Sequence, residues 1–157
     1  YEISACLVGS EMCIRDSAHA GAQQPGMTGQ AKEEIITRFG ELGIRVEAGT
    51  LHINPQLLKR NEFATQPRSF EVIHIDNSTE SITINPGELA FTYCQVPIIY
   101  RLDKSAQAIN IETYSFAETA ATHSGAELPA EIYQQISLRS GQIRRVLVTI
   151  PETFLLA

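Results

Sequence analysis

The pair Thr28-Gly29 is the point in this 157-residue sequence where residue type and position favour anion binding. It stands at the predicted start of an amphipathic helix, where backbone N–H groups lack helical partners and the helix dipole is positive. A glycine lets an oxyanion approach the backbone, and a threonine hydroxyl can donate a hydrogen bond to it. The same threonine can instead cap its own helix, which the residues alone favour.

The other chemically active residues lack the spacing that metal binding or nucleophilic catalysis requires. The four histidines are dispersed, and no nucleophile elbow, phosphate loop or dinucleotide motif occurs. His52 and His74 stand opposite the apolar phase of their strands, which predicts solvent-facing side chains. Cys94 lies in an apolar and aromatic run, which predicts a buried small hydrophobe. We therefore expect no metal, no cofactor and no catalytic residue in this chain.

Five aromatic side chains are candidates for stacking on sugar rings, although their places within apolar strands favour core packing. These are Tyr93, Tyr100, Tyr114, Phe116 and Tyr133. A sugar-binding domain would need an exposed row of at least two tyrosine rings on one sheet face.

Residues 1 to 17 resemble a translated sequencing-adapter artefact, because "ACLVGSEMCIRDS" has neither a helical nor a strand period. Setting them aside removes Cys6 and Cys13, which leaves Cys94 without a disulfide partner. It also removes three acidic residues and one basic residue, so the net charge changes from −6 to −4. This charge gives no reason to expect nucleic acid or an anionic membrane as a partner. The small and polar residues 17 to 26 predict a loop, and the absence of a long apolar run predicts a cytoplasmic protein.

The first regular element is a helix followed by a hairpin. From Gly29 to Leu42, apolar residues recur every three or four positions, which predicts a helix with one buried stripe. Gly43 supplies a left-handed stop. The period then changes to two over residues 44 to 53, which predicts a hairpin that turns at Ala48-Gly49. The stripe consists of Ala31, Ile35, Phe39 and Leu42, with Ile36 beside it.

The rest of the chain predicts a mainly β fold. The segments "SFEVIHI", "SITI", "LAFTYCQVPIIYRL" and "AINIETYSF" follow at roughly ten-residue spacing, which is typical of an antiparallel β-sandwich or a jelly-roll-like domain. Pro97 predicts a bulge, a bend or a sheet edge in the longest segment. Residues 117 to 128 predict a loop, and Pro129 predicts the start of a short helix. The last strand, "IRRVLVTI", is expected to place Val146, Val148 and Ile150 on one face.

The run from Thr28 to Leu58 resembles the end of the catalytic barrel in the cellobiose and chitobiose phosphorylase family of carbohydrate enzymes. The resemblance rests on Thr28-Gly29-x-Ala31, Phe39-Gly40, Gly43-Ile44-Arg45 and Gly49-x-Leu51-x-Ile53-x-Pro55-x-Leu57-Leu58. In that family a helical (α/α)6 toroid precedes a small C-terminal β-domain, and a Thr-Gly pair contacts phosphate. The resemblance thus implies that Thr28 and Gly29 bind phosphate or substrate. Gln30 and Glu33 stand where Ser and Trp are usual, which leaves phosphorolysis and hydrolysis open.

The resemblance also implies a domain organisation. Residues 1 to 17 would be non-native, residues 18 to 43 would form a loop and the terminal helix of a truncated barrel, and residues 44 to 157 would form the C-terminal β-domain. The family's catalytic Asp lies upstream in the barrel, so this part would be non-catalytic by itself. The implied partners are the missing N-terminal barrel, an oligosaccharide and inorganic phosphate. The alternatives are a carbohydrate-binding domain and a purely structural β-sandwich.

Overall fold

The computed structural model describes four stretches of the chain, with side chains from residue 34 onward. These stretches are residues 15 to 17, 21 to 23, 28 to 117 and 119 to 155. They belong to two compact units, Tyr1–Phe39 and Gly40–Ala157. The chain is mainly β, with several antiparallel sheets and few helices, which agrees with the broad fold class expected from the sequence.

The first unit contains a short antiparallel ladder and most of a helix. Strand β1 (Arg15–Ser17) pairs with β2 (Gly21–Gln23). The prediction of a loop over residues 17 to 26 is therefore wrong at β2, where small residues pair through their backbone groups. Helix α1 (Thr28–Glu41) follows at nearly the predicted bounds. The interpretation of residues 1 to 17 as an artefact stays a prediction, because residues 1 to 14 lie outside the described residues and the pairing of residues 15 to 17 does not test their origin.

The apolar stripe predicted on α1 is not buried along its length. Ile35 and Ile36 expose 57% and 71% of their surface, Phe39 is half-buried, and Leu42 just beyond the helix is buried. The prediction of one buried stripe is therefore wrong at its middle turn. A periodic pattern selects one helix face, but burial of that face also requires a neighbouring surface.

In the second unit, the predicted hairpin forms β3 (Ile44–Glu47) and β4 (Thr50–Ile53). Both turn residues, Ala48 and Gly49, have positive φ, as a two-residue type I′ turn requires. A further strand, β11 (Glu127–Leu128), pairs with β4 and gives an antiparallel sheet of order β11-β4-β3. The loop predicted for residues 117 to 128 is therefore wrong both at β11 and at a second strand, Ala120–Ser124.

The other strands form a two-stranded ladder and a five-stranded sheet. The ladder pairs β5 (Arg68–Ile73) with β6 (Thr79–Ile84) in antiparallel register. The sheet contains β7 (Glu88–Tyr93), β8 (Val96–Asp103), β9 (Asn110–Ser115), β10 (Ala120–Ser124) and β12 (Ile143–Pro151). Its order is β10-β9-β12-β8-β7, and β12 runs parallel to β8. Purely antiparallel pairing was expected, and it is wrong for this one pair. Helix α2 (Ala130–Ser137) begins after Pro129, as predicted, and single 3-10 turns occupy Arg60–Glu62 and Glu152–Phe154.

The longest predicted strand, residues 89 to 102, is two strands joined by a tight turn. Cys94 and Gln95 form this turn, and both have positive φ. Pro97 therefore does not mark a bulge. It lies before the register of β8 with β12, which starts at Ile98, so the N–H group that proline lacks is not needed there.

The β5–β6 ladder packs against the five-stranded sheet through buried apolar side chains. This cluster contains Val72, Ile82, Ile84, Ile99 and Leu147. The face predicted for β12 is confirmed, since Val146, Val148 and Ile150 are fully buried. Leu147 points to the opposite face, so β12 is covered on both sides.

Candidate functional site

Thr28 and Gly29, the predicted anion site, are the first two residues of α1. They therefore lie at the end of the helix where backbone N–H groups have no intrahelical partner. The side chain of Thr28 lies outside the described residues. The assignment of phosphate or substrate binding to this pair stays a prediction.

The chain just after α1 is fixed by three hydrogen bonds. The Gly43 N–H donates to the Gly40 carbonyl oxygen at 3.0 Å, and the Asn54 N–H donates to the Gly43 carbonyl oxygen at 2.8 Å. Tyr100 on β8 donates from its buried hydroxyl to the Leu42 carbonyl oxygen at 2.6 Å. Gly43 has φ +74°, and a Cβ there would lie 2.1 Å from the Asn54 carbonyl carbon. No larger residue fits at Gly43 without a backbone shift.

A cavity of about 580 Å³ opens beside Gly43 and Asn54, next to β4 and β11. His52 is half-buried in its lining, and its Nδ1 lies 3.4 Å from Oε1 of Glu127 across the β4–β11 pair. Arg45 and Glu47 form an ion pair in the lining. His52 faces away from the fully buried Leu51, in the phase predicted for it. The lining carries the guanidinium of Arg45 and the carboxylates of Glu47 and Glu127, so it has no positive field that would select an anion.

His74 does not face solvent as predicted, because it is buried with 5% of its surface exposed. Strand β5 turns Val72 inward and leaves Ile73 exposed, and His74 continues the inward phase. The segment "SFEVIHI" has apolar residues on both faces of the strand. The alternation of apolar residues alone therefore did not determine which face is buried.

His74 and Arg144 share the carboxylate of Glu80. The His74 Nε2 lies 2.8 Å from Glu80 Oε2. Arg144 donates from Nη2 to Glu80 Oε1 at 2.7 Å and from Nε to Oε2 at 3.2 Å. The Arg144 hydrogen bonds lower the pKa of Glu80 and outweigh its burial, and the His74 hydrogen bond lowers this pKa further. An ionised carboxylate only accepts hydrogen bonds, so the His74 Nε2 is a donor.

This charged cluster is the feature that sequence reasoning missed. Glu80 and Arg144 are 64 positions apart, so no spacing pattern joins them. The available signal was the alternation of Phe70, Val72 and His74, which places His74 on the same face as two apolar residues.

The aromatic and cysteine candidates occupy different environments. Tyr100 is fully buried, as core packing predicts. Tyr93 and Tyr133 are half-buried, and burial together with their mutual hydrogen bond raises the pKa of Tyr93 to about 12. Phe116 is 46% exposed, so its core assignment is wrong. Cys94 is half-buried at a positive-φ turn position, so its assignment as a buried small hydrophobe is also wrong.

In the described part of the chain, no group of three or more His, Cys, Asp or Glu side chains is placed to hold a metal ion. No helix among the described residues is long and apolar enough to cross a membrane. Neither the models of known protein families nor the curated protein sequences match this chain.

Proposed function

We propose that the chain is the C-terminal part of a glycoside phosphorylase-like or glycoside hydrolase-like enzyme that acts on oligosaccharides. In this proposal α1 is the last helix of a helical barrel, and residues 44 to 157 are a sandwich-like β-domain. The barrel supplies the catalytic acid, so this part is not catalytic by itself. The partners are that barrel, an oligosaccharide and, in a phosphorylase, inorganic phosphate. The cytoplasmic location expected from the sequence belongs to the same proposal.

The observation that carries the proposal is the fold of the run that resembles the family. This run forms a helix from Thr28, a glycine turn at Gly43 and a hairpin that ends at Ile53. The Gly43 turn leaves no space for a side chain, because the Gly43 and Asn54 backbones are in contact. The order of helix, hairpin and β-domain is the order that the resemblance implies.

Two further observations support parts of the proposal. The β5–β6 ladder lies against the five-stranded sheet, as the second layer of a sandwich would. Ile35 and Ile36 are exposed on α1, and in the proposed enzyme the other barrel helices cover this face.

The first experiment is to sequence the source DNA upstream of the codon for Ser17. The proposal expects an open frame that continues into a helical-repeat region with an acidic residue in a loop. A start codon and ribosome-binding site directly before residue 18 would contradict it. The structural and carbohydrate-binding alternatives would then remain.

The second experiment substitutes Thr28→Ala in the intact enzyme, with Thr37→Ala as the matched control. Thr37 lies exposed on the same helix. Loss of a hydrogen bond to a charged phosphate would lower the rate at subsaturating phosphate by about tenfold or more. If Thr28 were only a helix cap, the change would cost about 1 kcal/mol of stability and leave turnover unchanged. That outcome would remove the predicted site.

A further inference from the structure

A cavity of about 310 Å³ lies beside the His74 cluster and within the second unit. We infer that this cavity binds a polyhydroxylated ring of monosaccharide size that carries no negative charge. It does not include Thr28 or Gly29, and the inference stands independently of the proposed function. The cavity lining brings together the turn after β5, the β7–β8 turn, the end of β9 and the approach to β12. The residues that carry the argument are His74, Asp76, Gln95, Phe116 and Ser140.

His74 lies in the wall of this cavity. Its Nε2 donates to Glu80 Oε2, with the two atoms 2.8 Å apart, and this bond holds the imidazole in place. The Phe116 ring meets the imidazole edge to face at 5.3 Å and helps to fix its orientation.

Asp76 supplies a hydrogen-bond acceptor and the negative charge of the lining. Its Oδ1 accepts from the Ser78 N–H at 2.9 Å and from the Ser78 hydroxyl at 2.6 Å. These bonds lower the pKa of Asp76, so the carboxylate is ionised at neutral pH. Because both bonds end on Oδ1, Oδ2 is left to accept from a ligand hydroxyl.

The lining disfavours an anionic ring and suits hydroxyl groups. The nearby guanidinium of Arg144 is bidentate on Glu80, while Asp76 repels an anion. Gln95 and Ser140 both donate and accept hydrogen bonds, which suits hydroxyl groups. Phe116 is 46% exposed and offers an apolar surface to the C–H face of a ring. The volume is near the lower end of small-molecule sites, about 300 Å³, so it fits a single ring.

The test follows amide NMR shifts of the full chain with glucose, galactose and inositol, alongside cationic glucosamine and anionic glucuronate. We expect the neutral ligands to shift cavity resonances at about 10 mM, which would saturate a site with a millimolar dissociation constant. A β-linked glucose trisaccharide distinguishes the end of a glycan from a free ring. Failure of every neutral ligand, or binding of the anion as strong as that of glucose, would overturn the inference, whereas glucosamine should bind at least as well as glucose because Asp76 attracts its ammonium group.

Asp103 provides a matched control for Asp76. It accepts from the Ser105 N–H and hydroxyl at 2.7 Å each, which is the same turn at a position outside this cavity. We expect Asp76→Asn to weaken binding about tenfold, the lower limit for a charged hydrogen bond, and Asp103→Asn to leave it unchanged. Phe116→Ala is a second cavity variant should Asp76→Asn fail to fold. Equal effects of Asp76→Asn and Asp103→Asn, or unchanged binding in Phe116→Ala, would also overturn the inference.

Discussion

The hydroxyl of Tyr100 donates a 2.6 Å hydrogen bond to the carbonyl oxygen of Leu42, 58 positions earlier in the chain. Tyr100 is fully buried on β8, and Leu42 directly follows α1. The bond satisfies a carbonyl oxygen just past the helix, where the last carbonyls lack helical partners. It therefore connects Leu42, the residue that follows α1, to strand β8 of the five-stranded sheet.

We expect Tyr100→Phe to lower the free energy of unfolding by about 1 to 3 kcal/mol, because the buried Leu42 carbonyl would lose its partner. Tyr114→Phe is the matched control, since the Tyr114 hydroxyl bonds to the half-buried Glu112 carboxylate. Loss of the Tyr114 hydrogen bond should lower the free energy of unfolding by less, because water can replace the hydroxyl as a partner of Glu112. Urea denaturation followed by circular dichroism measures both. Equal decreases in the free energy of unfolding would contradict the expectation that burial makes the Tyr100 hydrogen bond more stabilising than that of Tyr114.

Gly43 and Gly49 give a second matched pair, because both have positive φ but only Gly43 is crowded. A Cβ at Gly43 would meet the Asn54 carbonyl carbon at 2.1 Å, whereas a Cβ at Gly49 would meet nothing within 4 Å. We expect Gly49→Ala to cost about 1 to 2 kcal/mol for the left-handed backbone. Gly43→Ala should cost more, since the backbone must also shift. A thermal melt of each variant checks this order, and similar melting temperatures would contradict it.

The elements that could be predicted from sequence are those whose signal is local. Helix α1 and the β3–β4 hairpin follow from the change of apolar period at Gly43 and from the turn at Ala48-Gly49. The face of β12 follows from one unbroken alternation.

The missed elements depend on neighbours that are distant in sequence. Strand β10 is an edge strand with mostly exposed small and polar residues, so it has no apolar pattern and is held by its pairing with β9. The parallel β12–β8 pair joins strands with no direct connection. To predict the His74 cluster, one has to know which face of β5 is buried, and packing against the five-stranded sheet decides that.

Alkaline titration should separate Tyr93 from an ordinary tyrosine. Burial and the hydrogen bond with Tyr133 raise its pKa from 10.0 to about 12. Because the folded-state pKa is raised, the associated stability is fully present below pH 10 and is lost as the pH rises toward 12. Carbon-13 NMR of labelled tyrosines, assigned with Tyr93→Phe, measures the pKa. Tyr133→Phe should lower it yet leave it above 10.0, and a value unaffected by Tyr133→Phe would exclude the hydrogen bond as a cause.

Acid titration tests the charge state of Glu80. The Arg144 hydrogen bonds lower its pKa below the ordinary value of 4.5 in the folded state. Its stabilising contribution is therefore fully present above about pH 4.5 and is lost as the pH falls through the folded-state pKa. We expect Glu80→Gln to cost roughly 1 to 3 kcal/mol at neutral pH, because it removes a carboxylate that accepts from both Arg144 and His74.

The control is Glu71→Gln, at an exposed position of the same ladder. Urea midpoints measured from neutral pH to below pH 4.5 should fall less steeply for Glu80→Gln than for the unmodified chain. Glu71→Gln removes one carboxylate from an exposed position of β5, so the comparison separates the hydrogen bonds of Glu80 from the loss of a single negative charge. If Glu80→Gln retained the full acid dependence, the carboxylate shared by His74 and Arg144 would not be the group whose protonation destabilises the fold.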